Sequence, residues 1–455
     1  VPFDPEYGGQ GLPWALAFPI QEMWQGANMS FGLCPLLNQG AVEAILAHGS
    51  QAQKDHLLPK LISGEWTGTM NLTEPQAGSD LGLIRSKAEP VAGGHYKISG
   101  QKIFITYGDH DMAENIIHLV LARTPDAPDD VGGISLFIVP KFLDDGTRNT
   151  VNCIGLEHKL GIHGSPTCTM DFDRADGYLV GQENTGLKYM FTMMNNARLS
   201  VGLQGVALAD RACQGAWRYA SERVQGKAEG ARVSIDHHPD VRRMLMEMSA
   251  QVTAGRFMTY SAALSLDKAE QGDEGHRARA GILTPIVKSW CTDMAVSVAS
   301  TGVQVYGGMG FIEETGAAQY YRDARILPIY EGTNGIQSAD LVFRKILRDG
   351  GGAAKSLMEE MSSFVDDTYL TALHDITHRI LVLGKDKKID DISWVSTPYL
   401  RAYGFILGGA FVARAALHHP DYIAANHQSI SDLDSFYKHN ILPLALSHLH
   451  IAKQL

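Results

Sequence analysis

The sequence predicts an α+β fold: amino-terminal helices, a middle antiparallel β-barrel or sandwich, a carboxy-terminal four-helix bundle and an extra helical module. Three observations predict it. Apolar residues recur at three- and four-residue steps early and late in the chain. Short apolar runs bounded by turn residues fill the stretch between. The run Asp349-Gly350-Gly351-Gly352 reads as a flexible joint and sets off the tail. At 455 residues, two or three domains are expected from size alone.

The chain opens at Val1, already inside Val1-Pro2-Phe3-Asp4-Pro5-Glu6-Tyr7-Gly8-Gly9-Gln10-Gly11-Leu12, and reads as lacking its true start and any targeting peptide there. Residues 1–66 are the first, helical domain, with Val42, Ile45 and Leu46 followed by Leu57, Leu58 and Leu61. After Gly64 the pattern changes. His95-Tyr96-Lys97-Ile98-Ser99 alternates like a strand beyond the Gly93-Gly94 turn; Lys102 to Thr106, Ile116 to Ala122, Ile134 to Val139 and Thr169 to Phe172 follow. These runs place a β-domain over 67–180. Leu199, Gly202, Leu203, Val206, Ala209, Cys213, Ala216 and Trp217 then trace one long amphipathic helix. Gly226 to Pro239 breaks it. A second helix is expected from an Asp240 N-cap, a third through Pro285 to Tyr306 and a fourth after Thr333, making 181–348 a bundle. Residues 355–455 are again mostly helical, with an apolar stripe from Leu400 through Ile406 to Ala413.

Composition excludes several classes. Apolar content of 45% and charged content of 20% are those of a globular protein. A net charge of -11 gives no basic footprint for nucleic acid. Five scattered cysteines without a CxxC pair point to free thiols in a reducing compartment, expected to be the bacterial cytoplasm, with the mitochondrion left open by the missing start. No apolar run reaches the roughly 18 residues of a membrane span. His158 and His163, and the adjacent His237-His238, have no third ligand at metal spacing, so no metal is expected.

The chemistry concentrates in two segments. Ile329-Tyr330-Glu331-Gly332-Thr333 ends a run that begins at Gln304-Val305-Tyr306-Gly307-Gly308-Met309-Gly310-Phe311. A carboxylate between an aromatic segment and a glycine can be approached closely by a ligand. Apolar surroundings raise its pKa toward neutrality, as a base for a weakly acidic C–H needs. The other reading of Glu331 is an ordinary capped helix start at Thr333.

Together with Thr67-Gly68-Thr69-Met70-Asn71-Leu72-Thr73-Glu74-Pro75-Gln76-Ala77-Gly78-Ser79-Asp80 and Gly100-Gln101-Lys102-Ile103-Phe104-Ile105-Thr106, this run resembles the acyl-CoA dehydrogenase family over about 1–347. The stretch 151–166 and the added tail resemble a subgroup of longer members that includes 3-methylmercaptopropionyl-CoA and broad-range fatty acyl-CoA dehydrogenases. The resemblance implies FAD-dependent α,β-desaturation of an acyl-CoA, an electron-transfer flavoprotein as acceptor, and a homodimer or dimer of dimers.

By that resemblance Glu331 removes the α-proton, and Gly332 and Thr333 pack along FAD. Thr73 and Thr106 match hydroxyls on the flavin ring, Met70 and Leu72 match backbone contacts, and Phe104 takes an aromatic slot beside the ring. Each threonine alone reads equally as a plain strand residue. Arg223, Gln304 and Gly308 match cofactor positions reached across a subunit boundary. Ser79 matches a pantetheine contact, while Asn195 and Arg198 match substrate-facing positions. A solvated helix-end arginine is the plain alternative for Arg198.

Two departures fall on cofactor contacts. The family's Arg-x-Thr-Phe-Gly is Arg223-Val224-Gln225-Gly226-Lys227 here, and its glutamine four residues past the glutamate is Gly335. Met190, Met193 and Met194 fit either an acyl pocket or plain core. Ser79-Asp80 lacks a GxSxG frame, and the glycines at 307, 308 and 310 follow a helix rather than a strand, so neither a hydrolase nor a dinucleotide loop is indicated. The alternatives kept are an oxidase running the same half-reaction with oxygen, and a nucleic-acid-associated flavoprotein on this fold. Acyl identity and the role of 355–455 are not readable from the residues.

Overall fold

The structure is a computed structural model describing residues 2–454 apart from 229 and 425–427; of Asn195 only the backbone is described. In chain order the elements are α1 (Trp14–Ala27), α2 (Met29–His48), α3 (Gln51–Ser63), β1 (Trp66–Asn71), β2 (Lys87–Pro90), β3 (Tyr96–Thr106), β4 (Asn115–Ala122), β5 (Ser135–Pro140), β6 (Val151–Leu156) and β7 (Thr167–Leu179). There follow α4 (Gly186–Glu222), β8 (Val224–Ala228), β9 (Ala231–Ser234), α5 (Pro239–Glu270), α6 (Glu274–Tyr306), α7 (Ala317–Ala324) and α8 (Asn334–Ala339). The tail holds α9 (Leu347–Asp349), α10 (Gly352–Met361), α11 (Asp367–Lys385), α12 (Ile389–His418), α13 (Ile430–Phe436) and α14 (Leu444–Lys453). Two compact units result, Val1–Leu12 with Asn28–Ala197 and Pro13–Ala27 with Arg198–Leu455.

The first unit is a sheet in the order β1-β4-β5-β7-β3-β2, with β6 also paired to β7. All pairings in it are antiparallel except β1 with β4, which run parallel. The expectation of a wholly antiparallel domain missed this pair, because β1 and β4 are joined by a long excursion through β2 and β3 rather than a hairpin. Both faces of β4 are buried. Ile117, Leu119 and Leu121 pack with the α2–α3 residues Val42, Ile45, Leu58 and Leu61, while Val120 and Ala122 pack on the other face with Phe137, Met170 and Phe172. A capping box starts α3: Ser50 Oγ accepts from Gln53 N at 3.2 Å and Gln53 Oε1 accepts from Ser50 N at 2.9 Å. Met190 and Met193 are core residues, so the plain packing reading holds for both.

In the second unit α4 and α6 touch along their backbones. A Cβ at Gly205 would lie 2.6 Å from Cys291 O, and one at Gly202 would lie 2.6 Å from Val287 Cγ1. α5 starts at Pro239 as its first helical residue, with His238 at the N-cap, so Asp240 lies in the first turn and is not the cap. α6 begins at Glu274 behind an Asp273 cap and carries Pro285 inside it, earlier than the expected start at Pro285. β8 and β9 pair antiparallel after α4, and β8 starts at Val224, two residues ahead of the expected break at 226–239. The joint is a helix terminus: Gly350 and Gly351 are left-handed and Gly352 opens α10. α12 is long and apolar enough to cross a membrane by composition, yet it is mostly buried inside this unit, packed on α5, α6, α11 and α14.

Candidate active site

Glu331 lies in the turn between α7 and α8. Its φ is 54° and that of Gly332 is 84°, two left-handed residues in succession, and a non-glycine residue there is strained. Thr333 caps α8 through Oγ1, which accepts from Ile336 N at 3.3 Å. The buried Gln337 amide donates to Gly332 O at 3.2 Å and to Glu331 O at 3.4 Å. On the other side the Tyr330 hydroxyl donates to Gln204 Oε1, and Gln204 Nε2 donates to Gln25 Oε1 at 3.2 Å. The carbonyls of the turn are thus held while, among the described residues, the Glu331 N–H donates to no internal acceptor.

Burial raises the Glu331 carboxyl to about 7, against the opposing pull of Arg198 and Lys288. Arg198 is buried within α4, and Asp340 Oδ2 lies 3.9 Å from its Nη1. The solvated helix-end reading of Arg198 is therefore excluded. Burial lowers its pKa, and Asp340 and Glu331 oppose that shift. Asp340 opens a π-helical turn, Asp340–Ile346, which follows α8 directly. Lys288, on α6, is wholly buried and donates to Asn334 Oδ1 at 3.0 Å.

The residues expected beside the ring lie in the first unit. Phe104 sits in the left-handed region (φ 60°) at a bulge in β3, between the Lys102 and Ile105 pairings, and is 59% exposed. Ile103 N donates to Thr73 O at 2.9 Å, which brings Met70, Leu72 and Thr73 beside Phe104 and Thr106. Among the described residues neither threonine spends its hydroxyl on an internal partner. Beneath them Lys102 Nζ donates to Leu72 O at 3.1 Å and to Glu74 Oε1 at 2.8 Å, and Glu74 also accepts from Ser86 Oγ, Ser86 N and Arg85 N. Burial alone would raise Glu74, but the Lys102 ammonium and these hydrogen bonds outweigh it and hold the carboxyl at about 2. Burial lowers Lys102 to about 8, so both partners are charged at neutral pH. An outward aromatic, two free hydroxyls and a rigid strand edge fit a planar, hydrogen-bonding ring system such as an isoalloxazine.

Ser79 is exposed on the loop after β1; Arg223, just past α4, Gln304, in the last turn of α6, and Gly308, just past α6, are also exposed. Asn195 is helical in α4, and its side chain lies outside the described residues. Sequence reasoning missed Lys288, Gln204, Gln337, Asn334 and the Glu74–Lys102 pair. A lone lysine inside Pro285-Ile286-Val287-Lys288-Ser289-Trp290-Cys291 was the available signal for the first.

Comparison with known proteins shows what the chain is similar to. Family profiles described as the acyl-CoA dehydrogenase N-terminal, middle and C-terminal domains match residues 1–65, 69–175 and 184–346. A 3-methylmercaptopropionyl-CoA dehydrogenase of Ruegeria pomeroyi is 56% identical over 372 residues, 79% of this chain. The chain spans 63% of that relative's length. The solved butyryl-CoA dehydrogenase of Megasphaera elsdenii is 28% identical with a TM-score of 0.67, covering 75% of this chain and 85% of its own. An acyl-CoA dehydrogenase of Bacillus anthracis, solved with FAD, shares the fold over 99% of this chain and 83% of its own, at 23% identity and a TM-score of 0.75.

Proposed function

The chain belongs to the acyl-CoA dehydrogenase family, and on that premise we propose that it desaturates an acyl-CoA thioester between its α and β carbons, with Glu331 as the base. The observation that carries the reading is a half-buried carboxyl whose desolvation raises it to about 7, on a turn whose own N–H is free among the described residues. A thioester α-proton is far too weakly acidic for an ordinary carboxylate, so charge developing on the carbonyl oxygen must be met by a fixed donor. The Glu331 N–H is such a donor. Glu331 accepts the α-proton, and Arg198 and Lys288 keep enough positive charge nearby for the carboxylate form to exist near neutral pH.

Met70, Leu72, Thr73, Phe104 and Thr106 would hold the ring of FAD, and Gly332, Thr333, Arg223, Gln304 and Gly308 its remainder. When bound, FAD supplies the acceptor for the hydride that leaves the β-carbon as the double bond forms. Exposure of Arg223, Gln304 and Gly308 in the single chain, and of Phe311 at 86%, supports a dimer in which these residues serve a neighbouring subunit. An electron-transfer flavoprotein as acceptor belongs to the same proposal, as do Ser79, Asn195 and Arg198 as substrate contacts. Likeness to the Ruegeria enzyme puts 3-methylthiopropanoyl-CoA first among candidate substrates, ahead of fatty acyl-CoAs.

The test is anaerobic bleaching of the flavin by short, long, branched and methylthio acyl-CoAs. Bleaching by at least one is expected, with a rate that rises with pH through about 7 as Glu331 ionises. A flavin-loaded protein left yellow by all of them overturns the reading, and peroxide release in air would reassign it as an oxidase.

A further inference from the structure

Lys288 lies in the interior of α6, in an apolar run, and is 0% exposed. A lysine there has lost its hydration, and its ammonium has three protons to place. One goes to Asn334 Oδ1 at 3.0 Å. The Asn334 amide in turn donates to Asp293 Oδ1 at 2.8 Å and to Ser289 O at 3.2 Å, and Asn334 N donates to Pro328 O at 3.0 Å. Asn334 stands three residues beyond Glu331, so the turn is tied to α6 through this one side chain. Gly202 and Gly205 bring the α4 backbone, which also carries Arg198, against α6.

We propose that Lys288 is a positioning residue for Glu331: it clamps Asn334, and with it the turn 331–334, and holds a cation on the α6 side of the carboxylate. The proposal rests on the reading of Glu331 as the base. Other charged groups face the pair. Arg198 comes from α4 and Asp293 from α6, while Asp340 of the π-helical turn faces Arg198 and is itself paired with Arg344 at 3.5 Å, whose like charge opposes Arg198. Burial raises Glu331 and lowers Lys288, each to about 7, so the two titrate over the same range and the charge of each acts on the other.

The test follows the carboxylic-acid band of Glu331 by infrared difference titration of the flavin-loaded protein without acyl-CoA, the band being assigned by its loss in Glu331→Gln. Lys288→Met is expected to move the midpoint up by about one pH unit, a roughly tenfold gain in proton affinity, and Lys288→Arg to bring it back. The pH profile of bleaching should move with it while KM stays unchanged. A folded Lys288→Met with the wild-type midpoint overturns the proposal. If Lys288→Met does not fold, Lys288→Gln is read the same way. If neither folds, Asn334→Ala, which keeps every charge, decides: slower bleaching at an unmoved midpoint supports the clamp, and full-rate bleaching overturns it. Failure of wild-type bleaching sinks the function above, whereas the infrared shift judges Lys288 independently.

Discussion

Glu331 combines a burdened side chain with a burdened backbone, and both have measurable consequences. Glu331→Gln keeps the shape and removes the charge. It is expected to retain FAD absorbance while bleaching falls roughly 10²–10⁴-fold, the range for loss of a positioned base. Its stability should also diverge from wild type with pH. Because the folded carboxyl is raised from its ordinary 4.5 to about 7, wild type holds its full stability below 4.5 and loses part of it as pH rises through 7. Urea melts at pH 4.5 and 8 should therefore show Glu331→Gln gaining on wild type at the higher pH; parallel behaviour would mean the carboxyl is hydrated. The sequence made Glu331 legible because a glutamate flanked by Tyr330 and Gly332 is chemically specific. Lys288 and Gln204 stayed hidden because their partners come from other helices, and only tertiary packing brings them together.

Strand and helix edges decide how firmly Thr73, Phe104 and Thr106 are held. The Glu74–Lys102 pair locks the end of β1 to β3, and Glu74→Gln leaves a buried ammonium without its counter-charge. A loss of about 3 kcal/mol is expected on chemical denaturation. With Glu74 lowered from 4.5 to about 2, the stability it contributes is complete above 4.5 and drains away as pH falls toward 2, so the variant's deficit should shrink in acid. On the helical side, Gly205→Val would drive a branched side chain into the Cys291 carbonyl. It is expected to cost about 1–3 kcal/mol, or more if α4 and α6 separate, and an unchanged melting temperature would mean that the helices close less tightly. Periodicity revealed α4 and the strands because each buries one face or two in a regular pattern. It misjudged the start of α6 because Pro285, tolerated inside that helix, looks like a beginning. The β8–β9 hairpin was invisible for another reason: its residues are mostly exposed and carry little apolar alternation.

Across the whole molecule, the order of helices, sheet, helices and tail was readable because each segment has its own apolar period, whereas the purpose of the tail was not. Its place in the second unit supplies part of the answer. Gly404 lets α12 lie flush on Trp290 of α6, and Arg401 Nη2 meets Asp293 Oδ2 at 3.2 Å, the residue that accepts from Asn334. Ending the chain after Gly351 would strip α5 and α6 of this cover, and aggregated, flavin-free protein is expected by size-exclusion chromatography; a soluble yellow fragment would show the tail to be dispensable. Arg401→Ala is the gentler probe, expected to slow bleaching by no more than about threefold, since half-exposed ion pairs contribute little. Asp293 thus receives one hand from α12 and one from the turn that carries Glu331. Any effort to pare the tail away from this chain would have to furnish a substitute for the grip that α12 supplies.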